Sequence, residues 1–304
     1  MLTLGDVRIV WLRGGRFRLD GGAMFGPVPK PLWSKRYPHE EDNSIPMQAY
    51  PLLVLTPTHR ILVDTGLGDK LNAKQRRNFH VHEEWALDES LAALGLTADD
   101  VDLVILTHMD WDHAGGATRR APGGEGEGNG GSSPAGAEER IVPSFRRARY
   151  IVQEAEWEAA LHPDSRTRAG YWPENWRPLL EAGLVETVDG DAEVAPGVYV
   201  HKTGGHTHGH QIVRIEAGGE TVLHMGDLLP THAHSNPLWI MSYDNFPLTS
   251  VAQKERWLGE AKRKGWWLTF YHDPFLLAGT LDEEGRWVRT VPGALGWPAQ
   301  PIDR

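Results

Sequence analysis

Residues 107–116 read THMDWDHAGG and follow directly on the apolar run VDLVIL at 101–106. His108, Asp110, Asp112 and His113 crowd into this short stretch. A continuous apolar run bounded by polar residues predicts a strand buried on both faces. The donors then fall at the C-terminal end of that strand, where layered α/β proteins keep their sites. Alternate side chains at 108, 110 and 112 can be aimed to one side of a strand-end loop, and a tight turn brings His113 round beside them. Such a loop can feed two neighbouring metal ions. The carboxylates of Asp110 and Asp112 would repel each other strongly without a cation close by. The plainer alternative is local: Asp112 caps a helix that begins near Ala114.

Three further stretches carry donors at expected strand ends. KTGGHTHGHQ (202–211) holds His206, His208 and His210; HMGDLLPTHAH (224–234) holds His224, Asp227, His232 and His234; FYHDP (270–274) holds His272. Imidazole and carboxylate are the ligands available for divalent first-row metals when thiolate is absent. This chain has no cysteine, which also excludes disulfides and a thiolate nucleophile. No GxSxG stretch offers a serine nucleophile.

Around these stretches the pattern is layered α/β. Short β-rich runs lie at 7–14, 49–56 and 60–66, and strands are expected again at 147–153, 184–189, 197–203, 210–216, 220–226 and 266–273. Helices are expected at 84–95, with Leu87, Leu91 and Leu94 on one face, at EAEWEAAL (154–161), and at 250–265, with Val251, Leu258 and Ala261 inward and Gly265 as the stop. Residues 20–33 are too rich in Gly and Pro to predict regular structure. Residues 121–140, APGGEGEGNGGSSPAGAEER, have no large apolar residue and are expected to form a flexible surface insertion within one domain spanning 1–304. The chain carries 31 Lys and Arg against 41 Asp and Glu, a formal charge of −10, which disfavours nucleic acid as a partner. No apolar run approaches the roughly 18 residues of a membrane span, and the N-terminal stretch lacks a signal-peptide pattern. The expected location is the cytoplasm.

Taken together, the donor stretches resemble the metallo-β-lactamase superfamily. THMDWDH resembles its HxHxDH signature, GGHTHGH its later GHxxGH element, MGD (225–227) its bridging aspartate and YHDP (271–274) its final histidine. Outside the donors, DGGAMFGPVPKPLWSKRYP, RARYIVQEAEWE, GYWPENW, THAHSNPLW, MSYDNFP and FYHDPFLLAG resemble the YtnP-type branch of quorum-quenching N-acyl-homoserine lactonases. That resemblance runs from about residue 20 to 280, apart from the 121–140 insertion.

The resemblance implies a four-layer αββα sandwich with two divalent metal ions, zinc in the first instance. One ion would take His108, Asp110 and His206, the other Asp112, His113 and His272, with Asp227 bridging. Asp64 would orient a ligand histidine, and His208 and His210 would stand behind the ligands or face solvent. The implied reaction is opening of a lactone by attack of a metal-bound hydroxide, with Asp227 or Asp112 passing a proton to the departing alkoxide. Met24, Phe25, Trp33, Trp111, Trp239 and Tyr243 are the candidate substrate-binding residues. The partner is a small lactone or ester, with a homodimer left open and neither nucleic acid nor membrane involved. The departure from the family pattern is Asp110, where a histidine is usual. An oxygen ligand there brings manganese or iron into contention and could leave a single metal in place. An organophosphate or other ester hydrolase on the same site is the alternative reading. A diiron oxidoreductase and a non-catalytic metal-binding protein stand further off.

Overall fold

The strand runs assemble into two seven-stranded sheets in a computed structural model that describes residues 1–121 and 140–295. The first sheet is ordered Leu2–Leu4, Val7–Trp11, Leu52–Leu55, Arg60–Val63, Leu103–Ile105, Arg149–Gln153 and Val185–Val188. Its strands from Arg60–Val63 onward run parallel. The second sheet is ordered Ala192–Ala195, Val198–Lys202, Gln211–Ala217, Glu220–His224, Trp267–Thr269, Leu276–Leu281 and Trp287–Pro292. It is antiparallel apart from one parallel pair, Glu220–His224 with Trp267–Thr269.

The period-2 alternation of side chains sorts the core into layers. Leu103 and Ile105 point between the sheets, with Ile61, Val63, Val213, Ile215 and Val222, while Val104 points outward against helices. LVIL (103–106) is apolar throughout because both faces of the strand are covered there, while Asp102 just before it is exposed. The outer face of the first sheet is covered by Leu87 and Leu91, by Trp157 and Ala160, and by Leu179. The outer face of the second is covered by the helix Pro247–Lys264, whose Trp257, Leu258 and Ala261 pack on Ile212, Leu223 and Leu268. The layers therefore run helix, sheet, sheet, helix, the expected αββα arrangement. Each fully buried aliphatic or aromatic side chain in them contributes about 1.5–3 kcal/mol of transfer free energy.

Several boundaries differ from the expectation for local reasons. The helix over 84–95 is only Leu87–Ala92, because Gly95 adopts φ 73° and turns the chain; Leu94 falls beyond it and is exposed. The long helix starts earlier than 250, since Pro247 suits its first turn, and Val251 is only half-buried. It stops at Gly265 in the left-handed region, as expected. Residues 20–33 contain two short helices, Gly21–Phe25 and Lys30–Trp33. Asp20 accepts from the backbone N–H of Ala23 at 2.8 Å and Pro31 sits in the second helix's first turn, so capping overrides composition here. The strand expected over 266–273 ends at Thr269, which frees Tyr271–Asp273 to leave the sheet. The insertion expected at 121–140 lies outside the described residues except for its ends, Ala121 and Arg140, whose backbones bond at 2.7 Å. Among the described residues no helix is long and apolar enough to cross a membrane.

Candidate metal centre

The parallel pairing brings the donor stretches to one edge of the sandwich. Asp64 follows the strand Arg60–Val63, and Thr107 to His113 follow its parallel neighbour Leu103–Ile105. Asp227 follows Glu220–His224, and His272 follows the parallel Trp267–Thr269. His206 arrives on the loop 203–210, which is closed by the N–H groups of Thr203 and Gly204 donating to the carbonyl of His210 at 2.8 and 3.0 Å. The capping alternative for Asp112 does not hold: the short helix is Trp111–Ala114, so Asp112 lies inside it. Asp110 occupies the cap position instead, yet its side chain makes no capping bond and turns toward His108 and His206.

Two donor groups result. In one, Oδ2 of Asp110 lies 3.6 Å from Nε2 of His108 and 3.4 Å from Nε2 of His206. In the other, Nε2 of His272 lies 3.6 Å from Oδ2 of Asp112 and 3.1 Å from Nε2 of His113. Asp227 stands between them, its Oδ1 3.1 Å from Nε2 of both His113 and His272 and its Oδ2 3.5 Å from Nε2 of His206. The trios His108/Asp110/His206 and Asp112/His113/His272 each keep their donor atoms within 4.8 Å of one another.

Hydrogen bonding on the far side of each ring fixes which nitrogen carries the proton. Nδ1 of His113 donates to Oδ2 of Asp64 at 2.9 Å, and Nδ1 of His206 to Oδ1 of Asp244 at 2.9 Å. Nδ1 of His272 donates to the carbonyl of Gln48 at 3.0 Å. The Thr107 hydroxyl gives its proton to Asp64, so at 3.0 Å it accepts from Nδ1 of His108. All four rings therefore turn an Nε2 lone pair inward. Lone pairs of His113 and His272 facing each other, and facing carboxylate oxygens, repel unless a cation lies among them. Consistently, Nε2 of His108, Nε2 of His206 and Oδ1 of Asp227 are buried without a hydrogen-bond partner. Oxygen and imidazole donors in two such groups fit two divalent ions.

Charge favours the same conclusion. Burial opposes a charged His113, yet Asp227 and Asp64 push it well above the usual histidine range, and Asp110 and Asp244 do the same for His206. Burial raises Asp112, while the histidines around Asp227 outweigh its burial and hold it well below the usual carboxylate range. Without metal, protons must stand in for the cations that the cluster demands.

Residues that spacing did not reveal build the support. Asp244 orients His206 as Asp64 orients His113. Glu156, fully buried, accepts from the N–H of Met109 (2.9 Å) and Gly209 (3.0 Å) and from the hydroxyls of Tyr171 (2.9 Å) and Thr207 (2.7 Å), tying both ligand-bearing loops to one helix. Tyr271 stacks on His113 and donates to the carbonyl of Asp112 at 2.8 Å. Neither of the histidines flanking His206 reaches the cluster. His208 is exposed, and His210 is buried behind it, with Nδ1 2.7 Å from the Thr203 hydroxyl.

The cluster opens into a cavity of about 510 Å³. Of the candidate substrate-binding residues, Met24, Trp111 and Tyr243 line it, joined by Leu19, Phe79 and Arg166. Phe25, Trp33 and Trp239 do not line it. Phe25 is stacked between Trp33 and His234, with Trp239 against its edge, so these rings form the packed wall behind the cavity.

The sandwich, the edge position of the cluster and its donor set define a class. The chain belongs to the metallo-beta-lactamase superfamily, whose family model matches residues 45–119 and 144–291. Among solved structures, it is similar to a probable metal-dependent hydrolase from Staphylococcus aureus, with a TM-score of 0.86 and 36% identity over 96% of this chain and 98% of that one. A likeness in fold extends to AidC, a dizinc quorum-quenching lactonase, at TM-score 0.72 and 19% identity, covering 94% of this chain and 95% of that one. Among curated proteins, it is 30% identical over 60% of its length to a probable metallo-hydrolase of Mycobacterium tuberculosis, and 32% identical over 57% to the N-acyl homoserine lactonase AiiA of Bacillus thuringiensis subsp. kurstaki. The matches span 57% and 59% of those relatives, less than two thirds of their length.

Proposed function

We propose that this protein is a metal-dependent hydrolase that opens a lactone ring, with N-acyl-homoserine lactones as the leading substrate class. The observation that carries the reading is the convergence of four inward Nε2 lone pairs and three carboxylates on two adjacent points at the floor of an apolar-walled cavity. His108, Asp110 and His206 would hold one ion, and Asp112, His113 and His272 the other, with Asp227 between. Two divalent ions, when bound, supply a water nucleophile ionised near neutral pH and Lewis-acid polarisation of a carbonyl. Zinc suits the imidazoles, and the oxygen donor at Asp110 makes manganese or iron competent as well.

The chain's own residues do the rest. Leu19, Met24, Phe79 and Trp111 shed water from the cavity and pack an acyl chain. Tyr243, whose hydroxyl has no partner among the described residues, is placed to donate to a substrate oxygen. Both oxygens of Asp227 face ring nitrogens, so Asp112 is the carboxylate left to carry a proton. Its Oδ1 has no partner among the described residues and can deliver one to the departing alkoxide.

Elemental analysis of protein purified without added metal, with a pH-indicator assay on N-hexanoyl-homoserine lactone and a simple γ-lactone, tests this. About two metals per chain and lactone turnover are expected. Turnover of an aryl phosphotriester but of no lactone would replace the substrate assignment, and absence of both metal and turnover after adding Zn, Mn or Fe would end the reading.

A further inference from the structure

Arg166 lines the cavity, and its guanidinium is fixed although the residue is exposed. Nε donates to Oδ1 of Asn245 at 2.5 Å, and Nη2 donates to the carbonyls of Ser242 at 2.6 Å and Asp244 at 3.3 Å. All three acceptors are neutral, and no carboxylate pairs with this guanidinium among the described residues. Nη1 has no acceptor among them. Asn245 also lines the cavity. Because its Oδ1 faces Arg166, its amide nitrogen must point elsewhere, and that nitrogen likewise has no partner among the described residues. The three acceptors turned toward Arg166 are consumed, and Arg166 and Asn245 each keep a free donor.

The pattern of use says what those donors fit. A carboxylate is best held bidentate on the Nε/Nη2 edge or the Nη1/Nη2 edge of a guanidinium. Both edges include Nη2, whose two hydrogens already serve Ser242 and Asp244. What remains is single-point donation from Nη1 and from an amide N–H₂, which suits one carbonyl oxygen with two lone pairs.

Resting on the lactonase reading, we infer that Arg166 and Asn245 are specificity-determining residues that bind an amide carbonyl in the substrate's acylamino side chain, outside the ester bond that is cleaved. Lactones that lack such an oxygen leave both donors unpaired and bind less well.

The test compares kcat/KM for N-hexanoyl-homoserine lactone and a γ-alkyl-γ-butyrolactone of similar length in wild type, Arg166→Met and Asn245→Asp. Asn245→Asp still accepts from Nε, so it keeps Arg166 in place while removing the amide donors and cancelling the charge. The wild type should prefer the amide-bearing lactone, and both variants should shrink that preference at least tenfold, mainly through KM, with metal content unchanged. Titration calorimetry of the metal-loaded protein with N-hexanoylglycine and with nonanoate reads the same anchor without turnover. The wild type should bind the amide at least tenfold tighter, and the variants should lose the difference. If the wild type opened neither lactone, the lactonase reading would fall while the calorimetry still decided the anchor. A wild type with no amide preference in calorimetry, or an Asn245→Asp variant that kept it, would overturn the inference.

Discussion

Gly170 lies so close to Asp110 that a β-carbon on it would stand 2.2 Å from Oδ1 of the carboxylate. The contact matters because the other oxygen of Asp110 faces His108 and His206. Asp110 is short and has little freedom to yield, so a methyl group at 170 has to push it out of the cluster. Gly170→Ala is expected to fold, at an overpacking cost of about 1–3 kcal/mol. It is expected to lose metal from the His108/Asp110/His206 half, so that elemental analysis falls from two ions per chain toward one.

Asp110→Asn removes the anion and leaves the shape. The amide cannot balance a divalent ion between two imidazoles, so metal content should fall in the same half and turnover should drop severely. A variant that kept two metals and full activity would reduce Asp110 to a supporting residue.

Asp244 and Asp64 hold the protons on Nδ1 of His206 and His113, both at 2.9 Å. Asp244→Asn and Asp64→Asn should each weaken metal affinity about 10–100-fold without unfolding the chain. Competition against a chromogenic chelator measures this directly. Asp64→Asn should be the more disruptive to folding, because Asp64 also accepts from the N–H and hydroxyl of Thr107.

His234 makes acid stability testable away from the metal cluster. Its Nε2–H donates to the carbonyl of Met24 at 2.9 Å and its Nδ1 accepts from Thr231 at 2.7 Å, which fixes the neutral ring. Burial, reinforced by the Lys254 cation, pushes its pKa down to about 3. The unfolded chain takes up that proton near pH 6.5 and the folded one does not. The folded state's advantage is therefore full above pH 6.5 and drains as pH falls toward 3, by about 1.4 kcal/mol per unit. His234→Gln can keep both hydrogen bonds without the titration. Urea unfolding at pH 6.5 and 5 should show the wild type losing about 1.5 kcal/mol more than the variant.

The sequence by itself determined the layers and the donors. The LVIL of VDLVIL reads as a doubly buried strand because an apolar run with no polar face has no other stable place in an α/β protein. The donor residues at 108–113, 206, 227 and 272 each follow an expected strand, so their place at strand ends was legible, while the pairing of two sheets that brings those ends together was not. Asp64 came only through the family resemblance. Tertiary structure alone decided what lies across the gaps between loops. Asp244 reaches His206, Glu156 joins the loops of Met109 and Gly209, and Arg166 reaches Asn245 through contacts that no local period encodes. It also decided that Phe25 and Trp33 stack behind the wall while Met24 faces the cavity, since an aromatic ring in a Gly- and Pro-rich segment buries itself wherever partners are found. Above all it set Gly170 against Asp110, where only a residue without a β-carbon leaves room for the carboxylate that faces His108 and His206.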